Sequence, residues 1–272
     1  MTAAVAHDPG EDSPSLDRLR AVAQPVDHMA RYNAEHWSGR LYIRHLSIHV
    51  TRWMLPTHIS PNGVTWLMTG AGVAGALLLP LPGLLGPVLA ALAMQLQILL
   101  DCSDGELARW RQRFSPTGIY LDRVGHYLTE SLLPIALGLR ADRYSLAAPL
   151  HVGGWTVLGF LVAVVVLLNK AFTDLVHVAR AKTGRPPADD VAATARSRVS
   201  GLAAVRRAFS YLPVFRAFVA IEASLLAVLA GIVDLSRGDL AGSRTLLLVL
   251  VPLALITAGG HLAGVLTSSR LD

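Results

Sequence analysis

The amino-acid sequence predicts an all-α integral membrane fold: six transmembrane helices behind an N-terminal amphipathic juxtamembrane helix. Composition is the first reason. Of 272 residues, 53% are apolar and only 16% are charged, where a soluble domain carries about 25% charge. Run length is the second: six apolar stretches approach the roughly 20 residues that a helix needs to cross a hydrocarbon core. The third is the uneven placement of Lys and Arg between alternate connections. The formal net charge of +5 then reports topology and contact with membrane lipid. No aromatic-interleaved basic stripe points to nucleic acid. The single cysteine, Cys102, excludes an intrachain disulfide.

Taken in order, residues 1–25 are polar, include Pro9, Gly10 and Pro14, and lack the apolar core of a signal peptide. They are expected to form a disordered tail. Residues 26–54 mix His36, Trp37, Arg40, Arg44, His45, His49, Arg52 and Trp53 with Leu41, Ile43, Leu46, Ile48 and Val50. This pattern reads as an amphipathic helix lying in the interface; a soluble helix packed on the membrane domain is the alternative. Residues 55–272 form the membrane domain, with spans at 62–81, 87–107, 118–139, 150–172, 213–233 and 245–266. Pro80, Pro82, Gly83 and Pro87 mark a tight turn, Pro134 a kink, and residues 173–210 a polar connector.

Arg40, Arg44, Arg52, Arg109, Arg111, Arg113 and most of the connector's basic residues fall on one side of this layout. Only Arg140, Arg143, Arg237 and Arg244 fall on the other. Both termini and the motif described next are therefore expected on the cytoplasmic side of the cell (plasma) membrane.

The chemistry-bearing stretch is Asp101-Cys-Ser-Asp104-Gly105-Glu-Leu-Ala108-Arg109, followed by Gly118-Ile-Tyr-Leu-Asp122-Arg-Val-Gly-His126. Asp101 and Asp104 share a face at the end of one apolar helix; Asp122 and His126 share a face at the start of the next. The loop with Ser115 and Pro116 lets the two helices run antiparallel, so the pairs meet across one groove. Carboxylates at membrane depth are costly and mark function. Three of them repel one another unless a cation intervenes, and their hard oxygens suit Mg²⁺ or Mn²⁺, with room for two ions. Such a site can bind a pyrophosphate and stabilise displacement at phosphorus. Arg109 supplies a cation for phosphate, and the small Gly105, Ala108 and Gly118 let a nucleotide or a neighbouring helix approach the backbone.

This pattern resembles the signature of the CDP-alcohol phosphotransferases, matching at Asp101, Asp104, Gly105, Ala108, Arg109, Gly118 and Asp122 with the same spacings. Ser60-Pro61-Asn62-Gly63-Val64-Thr65 resembles the opening of that family's first membrane helix. The resemblance spans about residues 55–265. It implies a six-helix homodimer whose donor is CDP-diacylglycerol or a CDP-polyol and whose acceptor is an alcohol or polyol phosphate, with CMP released. It implies metal ligation by Asp101, Asp104 and Asp122, and a CDP site formed by Asn62, Thr65, Asp104, Gly105, Ala108, Arg109 and Gly118. One position departs: where the family carries a fourth aspartate, which serves as both ligand and base, this chain has His126. His126 is then either a general base or metal ligand, or a bystander in a weakened site. Glu130, one turn on, is a candidate replacement carboxylate.

Lys170, Arg196, Arg198 and Arg216 are candidates for contact with an anionic acceptor, against the plainer readings of snorkelling and lipid-headgroup contact. Arg111 and Arg113 read as positive-inside anchors. Glu106 is expected to be solvated or paired with Arg109, and Asp234 and His261 to be boundary residues. A family member that binds a CDP-alcohol without turnover is the competing function. A transporter fits less well, because conduction paths place ionisable groups along a pore rather than at one face.

Overall fold

A computed structural model describes residues 8–25, 38–143, 152–186, 217–267 and 271. All regular structure among them is helical: α1 (Leu16–Ala23), a π-helical turn (Gly39–Ile43), α2 (Arg44–Met54), α3 (Pro61–Leu78), α4 (Leu85–Trp110), α5 (Pro116–Ala141), α6 (Gly154–Lys182), α7 (Ala220–Arg237) and α8 (Ala241–Thr267). Helices α4, α6 and α8 are long and apolar enough to cross a membrane. Helices α3 and α7 have only 18 residues each, and α5 carries Asp122, Arg123 and Glu130 within its length. The chain is a helical membrane protein, and among the described residues three helices are long and apolar enough to span.

The chain divides into two compact units, Met1–Ala74 with Leu92–Leu128 and Gly75–Ala91 with Thr129–Asp272. The first unit is organised around a core of Leu19, Ala23, Ile48, Met54, Leu55, Val64, Met68, Leu100, Leu107 and Trp110. Four helices contribute to it, α1 among them, which corrects the expectation of a disordered tail through residue 25. Ser15 caps α1, its Oγ accepting from Arg18 N at 3.3 Å. Leu19 and Ala23, one turn apart, share the face that enters the core. Polar composition concealed an eight-residue helix whose two buried residues are spaced one turn apart. Of the expected amphipathic helix, residues 26–37 lie outside the described residues. From Arg44 onward it is helical, burying Ser47, Ile48, Thr51 and Met54 and exposing Leu46, Trp53 and Arg52.

In the second unit α8 packs on α6 and α7. Helix α6 runs ten residues beyond the expected end of its span at 172, to Lys182. Arg140 and Asp234, read as loop and boundary charges, are instead a buried ion pair at 3.2 Å. Arg140 also donates to Ser243 Oγ at 3.0 Å and to Leu81 O at 2.9 Å. Asp234 accepts from Ser243 N and Oγ at 3.0 and 2.6 Å, so both charges are satisfied where an isolated one would be prohibitive. His261 Nδ1 lies 2.8 Å from Asn169 Oδ1 and its ring meets Phe172 edge-on.

Candidate active site

Two of the helices that build the site open with the same dipeptide. Ser60-Pro61 starts α3 and Ser115-Pro116 starts α5. Each serine hydroxyl accepts from the backbone three residues on, Gly63 N at 3.1 Å and Gly118 N at 3.0 Å, and each proline occupies the first helical position, where it has no N–H to waste. Helix α4 ends in a Schellman-type turn: Gln112 has φ 52, and Arg113 N donates back to Ala108 O at 3.0 Å. This reversal returns Arg113 to the site.

These three helix ends line one pocket of about 240 Å³, bounded by Pro61, Asn62, Thr65, Asp104, Gly105, Ala108, Arg113, Phe114, Ser115, Gly118, Ile119 and Asp122. Six of the seven expected nucleotide contacts, Asn62, Thr65, Asp104, Gly105, Ala108 and Gly118, are therefore on one wall system. The two helix N-termini bring partial positive charge to it, as anion sites commonly do. Gly118 sits close to the wall: a Cβ there would lie 2.9 Å from Asn62 Oδ1, so that side chain would have to move. Arg109 is not among the residues that line the pocket. Its guanidinium packs over Gly105, where an added Cβ would sit 3.2 Å from a terminal nitrogen. Sequence reasoning missed Arg113 as a pocket residue, and only the turn at Gln112 explains its placement. Arg111 is not a simple anchor. It donates to the carbonyls of Leu55 at 3.0 Å, of Thr57 at 2.8 Å and of Ile59, stapling the segment before α3. Burial, with Arg113 nearby, lowers its pKa.

Beside the pocket, Asp101, Asp122 and His126 each offer a ligand atom, all within 4.8 Å of one another. His126 Nε2 lies 3.2 Å from Asp101 Oδ1 and 3.5 Å from Asp122 Oδ1, the i, i+4 spacing on α5 bringing the second contact about. Two carboxylate oxygens and an imidazole nitrogen are a suitable donor set for a divalent ion of the Mg²⁺ or Mn²⁺ kind. Asp104 stands apart from that trio and accepts a hydrogen bond from Thr65 Oγ1 at 2.6 Å.

Several expectations need correction. Glu106 is neither solvated nor paired with Arg109. It is fully buried and accepts from Gln24 Nε2 at 2.8 Å, Ser47 Oγ at 2.5 Å and Thr51 Oγ1 at 2.7 Å, with Arg44 at 3.7 Å. Glu130 pairs with Lys170 at 2.9 Å in the second unit. Lys170 is thus paired with an acid while 23% of its side chain stays exposed. Arg196, Arg198 and Arg216 lie outside the described residues.

No curated protein matches the chain. A profile of the CDP-alcohol phosphatidyltransferases matches residues 58–204, more than half of the chain and all of the pocket-forming residues. On that match, the chain belongs to the CDP-alcohol phosphatidyltransferase family.

Proposed function

We propose that this protein transfers a phosphoalcohol group from a CDP-alcohol to an alcohol acceptor, with release of CMP. The observation that carries the reading is the convergence of Asn62, Thr65, Asp104, Gly105, Ala108 and Gly118 on a single pocket beside Asp101, Asp122 and His126. The acceptor hydroxyl attacks the β-phosphorus, a new P–O bond forms, the bond to CMP breaks, and CMP leaves with the shared electron pair. Arg113 and the N-termini of α3 and α5 stabilise the negative charge that builds on the phosphates. Gly118 and Gly105 let the nucleotide lie against backbone.

Asp101, Asp122 and His126 would hold the divalent ion, which when bound supplies charge neutralisation at the pyrophosphate. Asp104 is the remaining carboxylate for a second ion. Asp122 faces both the cluster and the pocket and is 43% exposed; we assign it the proton of the attacking hydroxyl. His126, whose Nε2 joins the two aspartates, is assigned to the ligand set. The donor is CDP-diacylglycerol or a CDP-polyol, and the acceptor an alcohol or polyol phosphate. Six membrane-crossing helices, a homodimer, and a cytoplasm-facing site at the cell membrane complete the proposal. It is supported by the resemblance to the family's layout and by the Lys and Arg distribution.

The test is CMP release by the purified protein in lipid nanodiscs, with both donor classes, a panel of acceptors, and Mg²⁺ or Mn²⁺. Acceptor-dependent CMP release that disappears in Asp104→Ala supports the transferase. Metal-dependent CDP-donor binding without release from any pair supports a binding protein instead.

A further inference from the structure

The first 25 residues have no part in the reaction just proposed, yet their described portion is built into the same unit as the pocket. Four contacts fix it. Leu19 and Ala23 are fully buried in the core beside Leu107 and Trp110 of α4. Trp110 Nε1 donates to Glu11 O at 3.1 Å. Gln24 Nε2 bridges Arg44 O at 2.9 Å and Glu106 Oε1 at 2.8 Å. Arg109 Nε donates to Ala23 O at 2.5 Å.

The last contact connects the segment to chemistry. Arg109 has one N–H directed at Ala23, and its terminal nitrogens lie over Gly105, which is a wall of the pocket. Because Gly105 has no side chain, that guanidinium lies directly against the backbone of a residue that lines the pocket. A long arginine side chain left unheld would lose this placement to rotamer freedom. We infer that residues 8–25 form a positioning arm that holds Arg109 at the glycine wall and so sets the affinity of the pocket for a diphosphate. Gln24 and Glu106 are positioning residues that latch the arm. This rests on the reading of the pocket as a nucleotide diphosphate site.

The test measures binding of CDP and, separately, of inorganic pyrophosphate to the protein in nanodiscs. The variants are a deletion of residues 1–25, Gln24→Ala in the full chain, Arg109→Ala, and each arm variant combined with Arg109→Ala. Deletion should raise both dissociation constants roughly tenfold, the scale of one charge-assisted hydrogen bond, and Gln24→Ala should raise them by about half that factor or less. Neither change should weaken binding further once Arg109 is alanine, because the arm acts through it. A synthetic peptide of residues 8–25 should restore affinity to the deleted protein. If the deleted protein does not fold, Gln24→Ala and its combination decide. Unchanged or tighter binding in folded arm variants, or losses that simply add to that of Arg109→Ala, would overturn the inference. Arm-dependent pyrophosphate binding without CDP binding would keep the arm and remove the nucleotide reading; a wild-type protein that binds neither would remove both.

Discussion

Helix α4 holds acidic residues on two faces, and the faces treat them in opposite ways. Toward α5, Asp101 and Asp122 meet at one imidazole nitrogen and remain 26% and 43% exposed, while Asp104 leans on the Thr65 hydroxyl and the Gly105 backbone in a pocket wall. Toward α2, Glu106 is wholly buried and surrounded by an amide, two hydroxyls and a guanidinium. The second unit repeats the Glu106 solution at Arg140 and Asp234, where serine and backbone groups complete the set. A carboxylate saturated with donors has its charge accounted for by the fold. Carboxylates crowded together and left open toward a pocket do not, and a cation is the economical physical answer to their repulsion.

The comparison breaks first at Glu106. Replacing it with alanine leaves Arg44, Gln24 and two hydroxyls without their common acceptor. We expect a loss of about 3 kcal/mol or more, read as lowered denaturant or thermal resistance. Asp104→Ala should do the reverse: CMP release falls by about 10²–10³-fold with little change in unfolding. If Asp104→Ala destabilised the protein as much as Glu106→Ala, the division between structural and chemical acids would be wrong.

His126 sharpens the division. As a ligand, its change to Asp supplies a harder donor, so Mg²⁺ affinity should rise about tenfold relative to Mn²⁺, measured by metal titration of CMP release and by Mn²⁺ electron paramagnetic resonance. Abolition of turnover in both metals, with Mn²⁺ affinity intact, would mark the imidazole as the base instead. Gly118→Ala tests the wall itself. The added methyl meets Asn62 Oδ1, so the donor KM should rise about tenfold, equivalent to ~1.4 kcal/mol, with kcat nearly kept.

Much of this site was legible in the sequence because its spacings are local. Asp122 and His126 are brought together by a single helical turn, and the Asp101-to-Gly118 pattern spans one helix end and one loop. What escaped detection depends on distant partners or on a reversal of the chain. A helical wheel places Glu106 away from Asp101 and Asp104, but it cannot say that Gln24, Ser47 and Thr51 arrive at that face. Arg113 looked like a topological anchor because a left-handed residue at Gln112 cannot be read from a non-glycine sequence. The continuation of α6 to Lys182 was hidden by polar Asp174, His177 and Arg180, although the first breakers, Gly184 and Pro186, lie beyond it.

The smallest effect separates fold from site within one motif. Ser60 and Ser115 cap α3 and α5 by the same bond at nearly the same length, and each should cost about 1 kcal/mol of stability as alanine. Only Ser115 also lines the pocket. Ser115→Ala should therefore raise the donor KM by a few-fold, since it alters the pocket wall as well as loosening an N-terminus, whereas Ser60→Ala, which only loosens its N-terminus, should raise KM less. Equal shifts in KM from the two would mean that cap rigidity, transmitted through both helices, governs donor binding. A shift at Ser115 alone means that the α5 N-terminus is itself part of the anion site.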